Sequence, residues 1–461
     1  MKTNFRSATL LGLICSGMTV YAQDQPSTNL QNLWQKVEHN YPGLQAQTAL
    51  VASMANTQNA IQSQALPQLK IQAQNTYGTF EGSNGAFFPQ AGFFNVSGTP
   101  HALEGSNQAF NTFGSAVIEW EIFAFGKQNQ ENKAALAQYN QSLAQKEEYT
   151  IQLKKELSLR HIKNLYANAT YDWISKNVRR LEAIKRITSG LALSGLRPAA
   201  DSLLAHSSYL QAAGQQIFWT GTKQATHLAM VELLGEPLPT IDSKSIEKFL
   251  TPALLEQEQA PILKEADHPT LQQFQEETSF FEHRSKSIAR AALPSIKLLG
   301  GYAIRGTGIQ APTVSNSWND GFSNTADNYL VGVGLTWNFS SLFTNQYKKQ
   351  AFKQQAENAS QKYKAYQQAL QTNIEASHIQ LNAQAEQLKQ TLQAVEQATQ
   401  AYAMYMARYQ NGLIALSELL QIQQLLEQAE KIHIEATQYY WLQLVTEASF
   451  TTHFDFLFTN L

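Results

Sequence analysis

A single cysteine, Cys15, stands in the 461 residues, which excludes a disulfide framework and any cysteine-based metal site or thiol nucleophile beyond the first turns of the chain. Long apolar runs are missing too. After the first 22 residues no stretch approaches the ~20 consecutive apolar residues of a membrane-spanning helix, so any spanning element must be a strand. Charge of either sign is sparse: the formal charge is −2 and becomes −4 without Lys2 and Arg6, which offers no basic field for nucleic acid. The ten histidines never fall in an His-x-x-x-His or His-Glu pairing, and no Ser/His/Asp set stands out. Gly306-Thr307-Gly308 lacks the third glycine and following helix of a phosphate loop. Catalysis, metal and cofactor binding therefore find no residues to carry them. His39 and His268 sit beside prolines and read as structural.

Residues 1–22 combine Lys2 and Arg6, an apolar run at Leu10–Ile14 and Val20-Tyr21-Ala22 before Gln23. That is the pattern of a secretory signal peptide cleaved after Ala22. Ile14 before Cys15 is larger than a lipoprotein signal favours.

What is abundant is repetition. Pro42 and Pro67 recur as Pro269 and Pro294, both 227 residues on, and Trp120 and Gly195 recur as Trp337 and Gly412, both 217 on. One unit is written twice, with a connecting loop ten residues longer in the first copy. The boundaries follow: a first repeat over 23–235, a Pro-punctuated connector over 236–265 with a short helix at Ser245–Leu250, a second repeat over 266–448 and a tail over 449–461.

Within each copy a helix precedes a change of period. Residues 28–64 read as helix. From Gln68, Leu69, Ile71, Ala73 and Tyr77 alternate with Lys70, Gln72, Gln74 and Thr76. Phe110–Trp120, Ser295–Arg305 and Tyr329–Phe339 alternate in the same way, giving four strands long enough to cross a bilayer at a tilt. Tyr77, Tyr302, Trp120 and Trp337 stand at strand ends, as interfacial girdle residues would, although a half-buried soluble sandwich alternates identically.

Glycine and proline are absent from 127–189 and from 345–410, predicting rods of up to about 95–100 Å. Each rod ends at a glycine turn, Ser194-Gly195-Leu196 or Asn411-Gly412-Leu413, and a shorter helix returns, with Pro198 just inside the first return and Asp201 and Glu418 in the opening turns. A seam at Leu381, Ala385, Leu388, Leu392 and Val395 packs such rods side by side. Four strands cannot close, so the working unit is an oligomer. The aromatic, Gly-rich loop 81–108 and its shorter counterpart 307–326 are expected over the external mouth.

The Pro-x-Leu opening, the Leu-Pro strand entry, the exits Trp120–Gly126 and Trp337–Phe343, the long helix and the turn Arg408–Leu413 resemble the TolC-like outer-membrane efflux family over nearly the whole chain, twice. The resemblance implies a mixed α and β membrane protein. It would be a homotrimer whose β-barrel, four strands per chain, sits in outer-membrane lipid and continues as a long α-helical barrel through the periplasm. It also implies an exit duct, not an enzyme, docking through a periplasmic adaptor onto an inner-membrane pump. By position, Ser194, Gly195, Leu196, Asn411, Gly412 and Leu413 match the tips the adaptor contacts. Asp201 and Glu418 match acids lining the periplasmic aperture, where helix-dipole compensation is the plain alternative. The family's basic residue and second acid at the second tip are replaced by Ile414 and Gln421, while Arg197 and Tyr409 are present, so a closed-state latch would rest on those two. Protein secretion through the same kind of duct, and a periplasmic adaptor or coiled-coil scaffold, are the competing functions.

Overall fold

The computed structural model describes residues 29–79, 107–254, 268–310 and 312–461. The signal-peptide reading, most of the loop 81–108 and part of the connector lie outside them.

Asn29 caps the first helix, its side chain accepting from the Gln31 N–H at 2.8 Å, and α1 runs Leu30–Asn40. The single helix expected over 28–64 is two. Tyr41 before Pro42 is extended (φ −71°, ψ 117°) because a residue ahead of proline is kept out of the helical region, and α2 restarts at Pro42–Ser63 with the proline at its first turn. Next come β1 (Gln68–Thr79) and β2 (Gln108–Phe123), then the first rod, α3 (Lys127–Leu193), and its return, α4 (Ala199–Leu234). Pro198 is the cap of α4 rather than its first residue. In the connector, Asp242 caps α5 (Ser243–Leu250) by accepting from the Ser245 N–H at 2.9 Å.

The second copy repeats the plan: α6 (Pro269–Ala291), β3 (Ser295–Thr307), a small hairpin β4 (Ile309–Gln310) and β5 (Thr313–Val314), then β6 (Ala326–Thr336), the rod α7 (Ser341–Gln410) and its return α8 (Leu416–Thr451). His268 takes the structural role expected of it, its Nδ1 accepting from the Thr270 N–H at 3.2 Å to cap α6; His39 is exposed at the end of α1. The fourth strand stops at Thr336, short of Trp337 and Phe339, which turn into α7. The expected C-terminal tail is no appendage. α8 continues through Thr451, and α9 (Asp455–Asn460) buries Leu457 and Phe458.

With 67 and 70 residues, α3 and α7 are rods of ~100 Å. Two shorter helices lie along each: α2 and α4 on α3, α6 and α8 on α7, with α3 also touching α6 and α8. The seam of α7 buries Leu381, Leu388 and Ala398, whereas Leu392 is exposed, because the buried stripe drifts around a helix of 3.6 residues per turn. The largest core lies where the two repeats meet the connector. Leu30, Trp34 and Val37 of α1, Ile162 and Ile174 of α3, Phe249 of α5, Trp441 and Val445 of α8 and Phe458 of α9 converge there. Trp441 Nε1 donates to the Phe249 carbonyl at 2.9 Å, and Tyr440 donates to Ala253 at 3.2 Å, which fixes the connector against α8. His161 is fully enclosed nearby, and burial pushes its pKa down to about 4 despite the backbone of Leu461 beside it.

The four long strands form one antiparallel sheet, β1-β2-β3-β6. The pair β2–β3 joins the two repeats, so the hairpins expected on separate rods are fused into one surface.

Candidate channel surfaces

Register sorts the sheet into two faces. Opposed residues share a face. Leu69, Ile71 and Ala73 of β1 lie with Ile118, Ala116 and Gly114 of β2, which in turn lie with Gly300, Tyr302 and Ile304 of β3. Tyr302 faces Tyr329, and Val331, Val333 and Leu335 extend the same apolar surface on β6. The other face carries Gln68, Lys70, Gln72, Gln74, Ser115, Glu119, Lys297 and Arg305. Glu119 and Lys297 form an ion pair across β2 and β3, and the Arg305 guanidinium lies 5.9 Å from the Phe113 ring centre. One face suits lipid and the other a watered lumen.

Of the four expected girdle aromatics, Trp120 and Trp337 also have a structural task. Trp120 Nε1 donates to the Ala65 carbonyl at 2.9 Å, and Trp337 Nε1 to the Ala292 carbonyl at 3.1 Å. These are equivalent bonds in the two copies, tying each strand's exit to the corner where its helix enters the sheet. Tyr77 packs against Phe110 with ring centres 4.6 Å apart, while Tyr302 lies opposite Ala116, six residues further along β2, so the two tyrosines are not level along the strands.

At the far end of the rods both turns have the same geometry. Gly195 (φ 70°) and Gly412 (φ 76°) occupy the left-handed region that ends a helix with little cost only for glycine. Leu196 N–H donates to Leu191 O at 2.9 Å and Leu413 N–H to Arg408 O at 3.0 Å, closing both helix ends. Ser194 is the C-cap of α3 and Asn411 that of α7, whose Nδ2 donates to Ala407 O at 2.9 Å. Leu193, Leu196 and Leu413 project into solvent, Leu193 at 90 % exposure, making each tip an apolar knob.

The four aperture candidates divide. Glu418 is exposed in the first turn of α8 and accepts from the Ala415 N–H at 3.5 Å. Asp201 is half-buried in the first turn of α4. Tyr409 lines no opening in this chain. It is 1 % exposed within a tip core of Leu181, Ile184, Ile414 and Leu419, its hydroxyl 3.3 Å from Thr188 Oγ1. Arg197 covers it, 5.7 Å from the ring centre, and donates through Nη2 to the Ile414 carbonyl at 3.1 Å.

Sequence reading missed a third feature, the tie between the rods. Arg180 of α3 pairs in two-pronged fashion with Glu430 of α8, with Nη1 to Oε1 at 2.8 Å, and Trp173 Nε1 donates to the same carboxylate at 2.9 Å. Arg180 is one of several arginines on a polar rod, and nothing in the sequence points to its partner 250 residues away.

Because α3 touches α4 and α8, and α8 touches α7, the order in the lower half is α4-α3-α8-α7; in the upper half it is α2-α3-α6-α7. The chain is thus a stave with two long free edges. One is β1, α2 and α4; the other is β6 and α7. Each carries exposed apolar residues: Leu203, Leu210 and Ile217 at seven-residue spacing on α4, and Ile379, Leu392 and Met404 on α7. Among the described residues no helix is long and apolar enough to cross a membrane, and no cluster able to hold a metal ion is present.

Strand sheet, paired rods and tip turns together define a stave of a strand-and-helix tube. Residues 266–446 match the family model for outer membrane efflux protein. The outer membrane channel CmeC of Campylobacter jejuni is similar in fold, with a TM-score of 0.72 at 14 % identity over 98 % of this chain and 94 % of that one. The outer membrane protein VceC of Vibrio cholerae is similar at 0.70 and 12 % identity, over 92 % of this chain and 95 % of that one. The open-state MtrE outer membrane channel of Neisseria gonorrhoeae is similar at 0.70 and 13 % identity, over 92 % and 88 %. No curated protein matches the sequence. The second repeat thus matches the outer membrane efflux protein family in sequence, and both repeats share the fold of these outer-membrane channels.

Proposed function

We propose that this protein is the outer-membrane exit duct of a tripartite efflux system, a homotrimer that receives substrates from an inner-membrane pump through a periplasmic adaptor. The observation that carries this reading is the pair of free edges. β1 and β6 run in opposite directions in the four-stranded antiparallel sheet, so the β6 edge of one copy joins the β1 edge of the next without breaking the alternation. The same head-to-tail step sets α7 of one copy against α2 and α4 of the next. A heterologous contact repeated in this way closes into a ring, and an unclosed edge in lipid would leave backbone groups unsatisfied. Three copies supply twelve strands and a continuous helical wall, with the apolar face outward and the Glu119–Lys297 face lining the bore. The tips at Gly195 and Gly412 then face the periplasm as knobs for an adaptor, with Asp201 and Glu418 near the opening.

The test is the purified full chain in a planar bilayer, with its mass in detergent. A trimer that conducts supports the duct; a monomer without conductance rejects it. Val331→Pro on the β6 edge removes a donor from the joining ladder and is expected to abolish both trimer and conductance. A duct for protein secretion would share this behaviour. Loss of small-molecule export, against loss of a secreted protein, in the deleted strain separates the two. A soluble periplasmic scaffold predicts no outer-membrane fraction at all.

A further inference from the structure

The loop expected over the external mouth as the second copy's counterpart of 81–108 goes elsewhere. Between β3 and β6 the chain forms β4, β5 and a 3-10 turn at Trp318–Phe322, which packs on the sheet. The face it covers is the apolar one. Gly306 lies in the same row as Thr112, two residues beyond Ile304 on the face shared with Tyr302, and a side chain there would meet the Gly321 carbonyl at 2.6 Å. A side chain at Gly321 would meet the Phe110 Cβ at 2.9 Å. These glycines let the turn lie directly on the outer end of the lipid-facing side, over the central strands β2 and β3, where a neighbouring copy's edge does not reach.

The turn is held in shape. Ser315 donates to Asp320, Ser315 N–H donates to Gly308 O at 3.0 Å, and Asn324 Nδ2 donates to Ile309 O at 2.9 Å. From this base Trp318 and Phe322 project edge to face, 5.1 Å apart, at 57 % and 47 % exposure. We propose that Trp318 and Phe322 form a ledge seated in the headgroup–acyl boundary of the outer leaflet, fixing the depth of the barrel from the outside. The inference rests on the barrel reading above. Continuity supports it: the ledge extends the apolar surface that includes Tyr302 and Val331, and an indole with one polar N–H suits a boundary with an apolar side and a wet side.

The test uses the full-length trimer in a C15S background, reconstituted in phosphatidylethanolamine–phosphatidylglycerol vesicles. A fluorescent label is placed at Trp318→Cys or Phe322→Cys, with Val331→Cys as a lipid-face control and Gln72→Cys as a lumen control. Headgroup-region nitroxide lipids are expected to quench the labels at 318 and 322 severalfold more than iodide does. If those labels follow position 72, quenched by iodide and silent to nitroxide lipid, the ledge is overturned while the barrel stands. If position 331 is insensitive to lipids carrying the nitroxide midway along the acyl chain, the barrel reading fails and the ledge with it.

Discussion

The guanidinium of Arg197, in the first tip, lies 5.7 Å from the ring centre of Tyr409, in the second, and donates to the carbonyl of Ile414 at 3.1 Å. The two return turns are thereby clamped to each other within one chain. A cation over an aromatic face and a charge-assisted hydrogen bond are together worth about 1–3 kcal/mol at a partly covered site. Arg197→Ala is expected to loosen the tip and raise single-channel conductance. Tyr409→Ala removes the same ring and opens the tip core, so it should act in the same direction with a larger loss of stability. Unchanged conductance in both variants would remove any gating role from this clamp.

The paired indole bonds make a different demand, that two distant sites behave alike. Trp120→Phe and Trp337→Phe each delete one donor, to Ala65 O and Ala292 O respectively, while keeping most of the ring. Each is expected to cost about 1 kcal/mol. The two are far apart in sequence and in separate corners, so the double variant should lose close to the sum. Thermal unfolding in detergent, followed by circular dichroism, measures this. A large loss at one tryptophan and none at the other would mean that the shared bond is not what either residue contributes.

Glu430 accepts from both Arg180 and Trp173 between α3 and α8. Glu430→Ala leaves a largely enclosed guanidinium without its carboxylate, a loss on the order of 3 kcal/mol. Replacing both members with apolar residues, Arg180→Met with Glu430→Leu, is expected to recover most of that loss, since the cost of burying either charge disappears. Circular dichroism melts of the three variants decide it. A double variant no better than Glu430→Ala would show that the pair is needed for more than mutual neutralisation.

The sequence shows the large features of this fold because each is made by a local rule. Two long runs almost free of Gly and Pro specify α3 and α7, and glycines suited to positive φ mark the tips at 195 and 412. Alternation marks the strands and their two faces. What was not legible is non-local. The break at Tyr41 is the local exception, set by the proline that follows it; the register that joins β2 to β3 depends on residues some 180 apart. The burial of Tyr409 and the placement of the Trp318 turn on the apolar face arise from contacts made only when both repeats are assembled. The resemblance gave Tyr409 to a latch with Arg197; its burial in the tip core beneath that arginine is what position alone did not show.

His161 supplies a pH dependence whose sign follows from its surroundings. Its folded pKa is lowered from 6.5 to about 4 because burial disfavours the charged ring. The unfolded chain therefore binds more protons than the folded one between those two values, and stability falls as pH drops through that window. A shift of that size corresponds to roughly 3 kcal/mol, all of it present at neutral pH and lost progressively below about 6.5. His161→Leu removes the titrating group while keeping an apolar side chain in the site, so its melting temperature should decline less between pH 7 and pH 4.5 than that of the parent. His268 is also lowered by burial, with Glu148 opposing, and will leave some acid sensitivity in the variant. The comparison is therefore between slopes: equal slopes in parent and His161→Leu would show that the ring at 161 is not what couples this fold to pH.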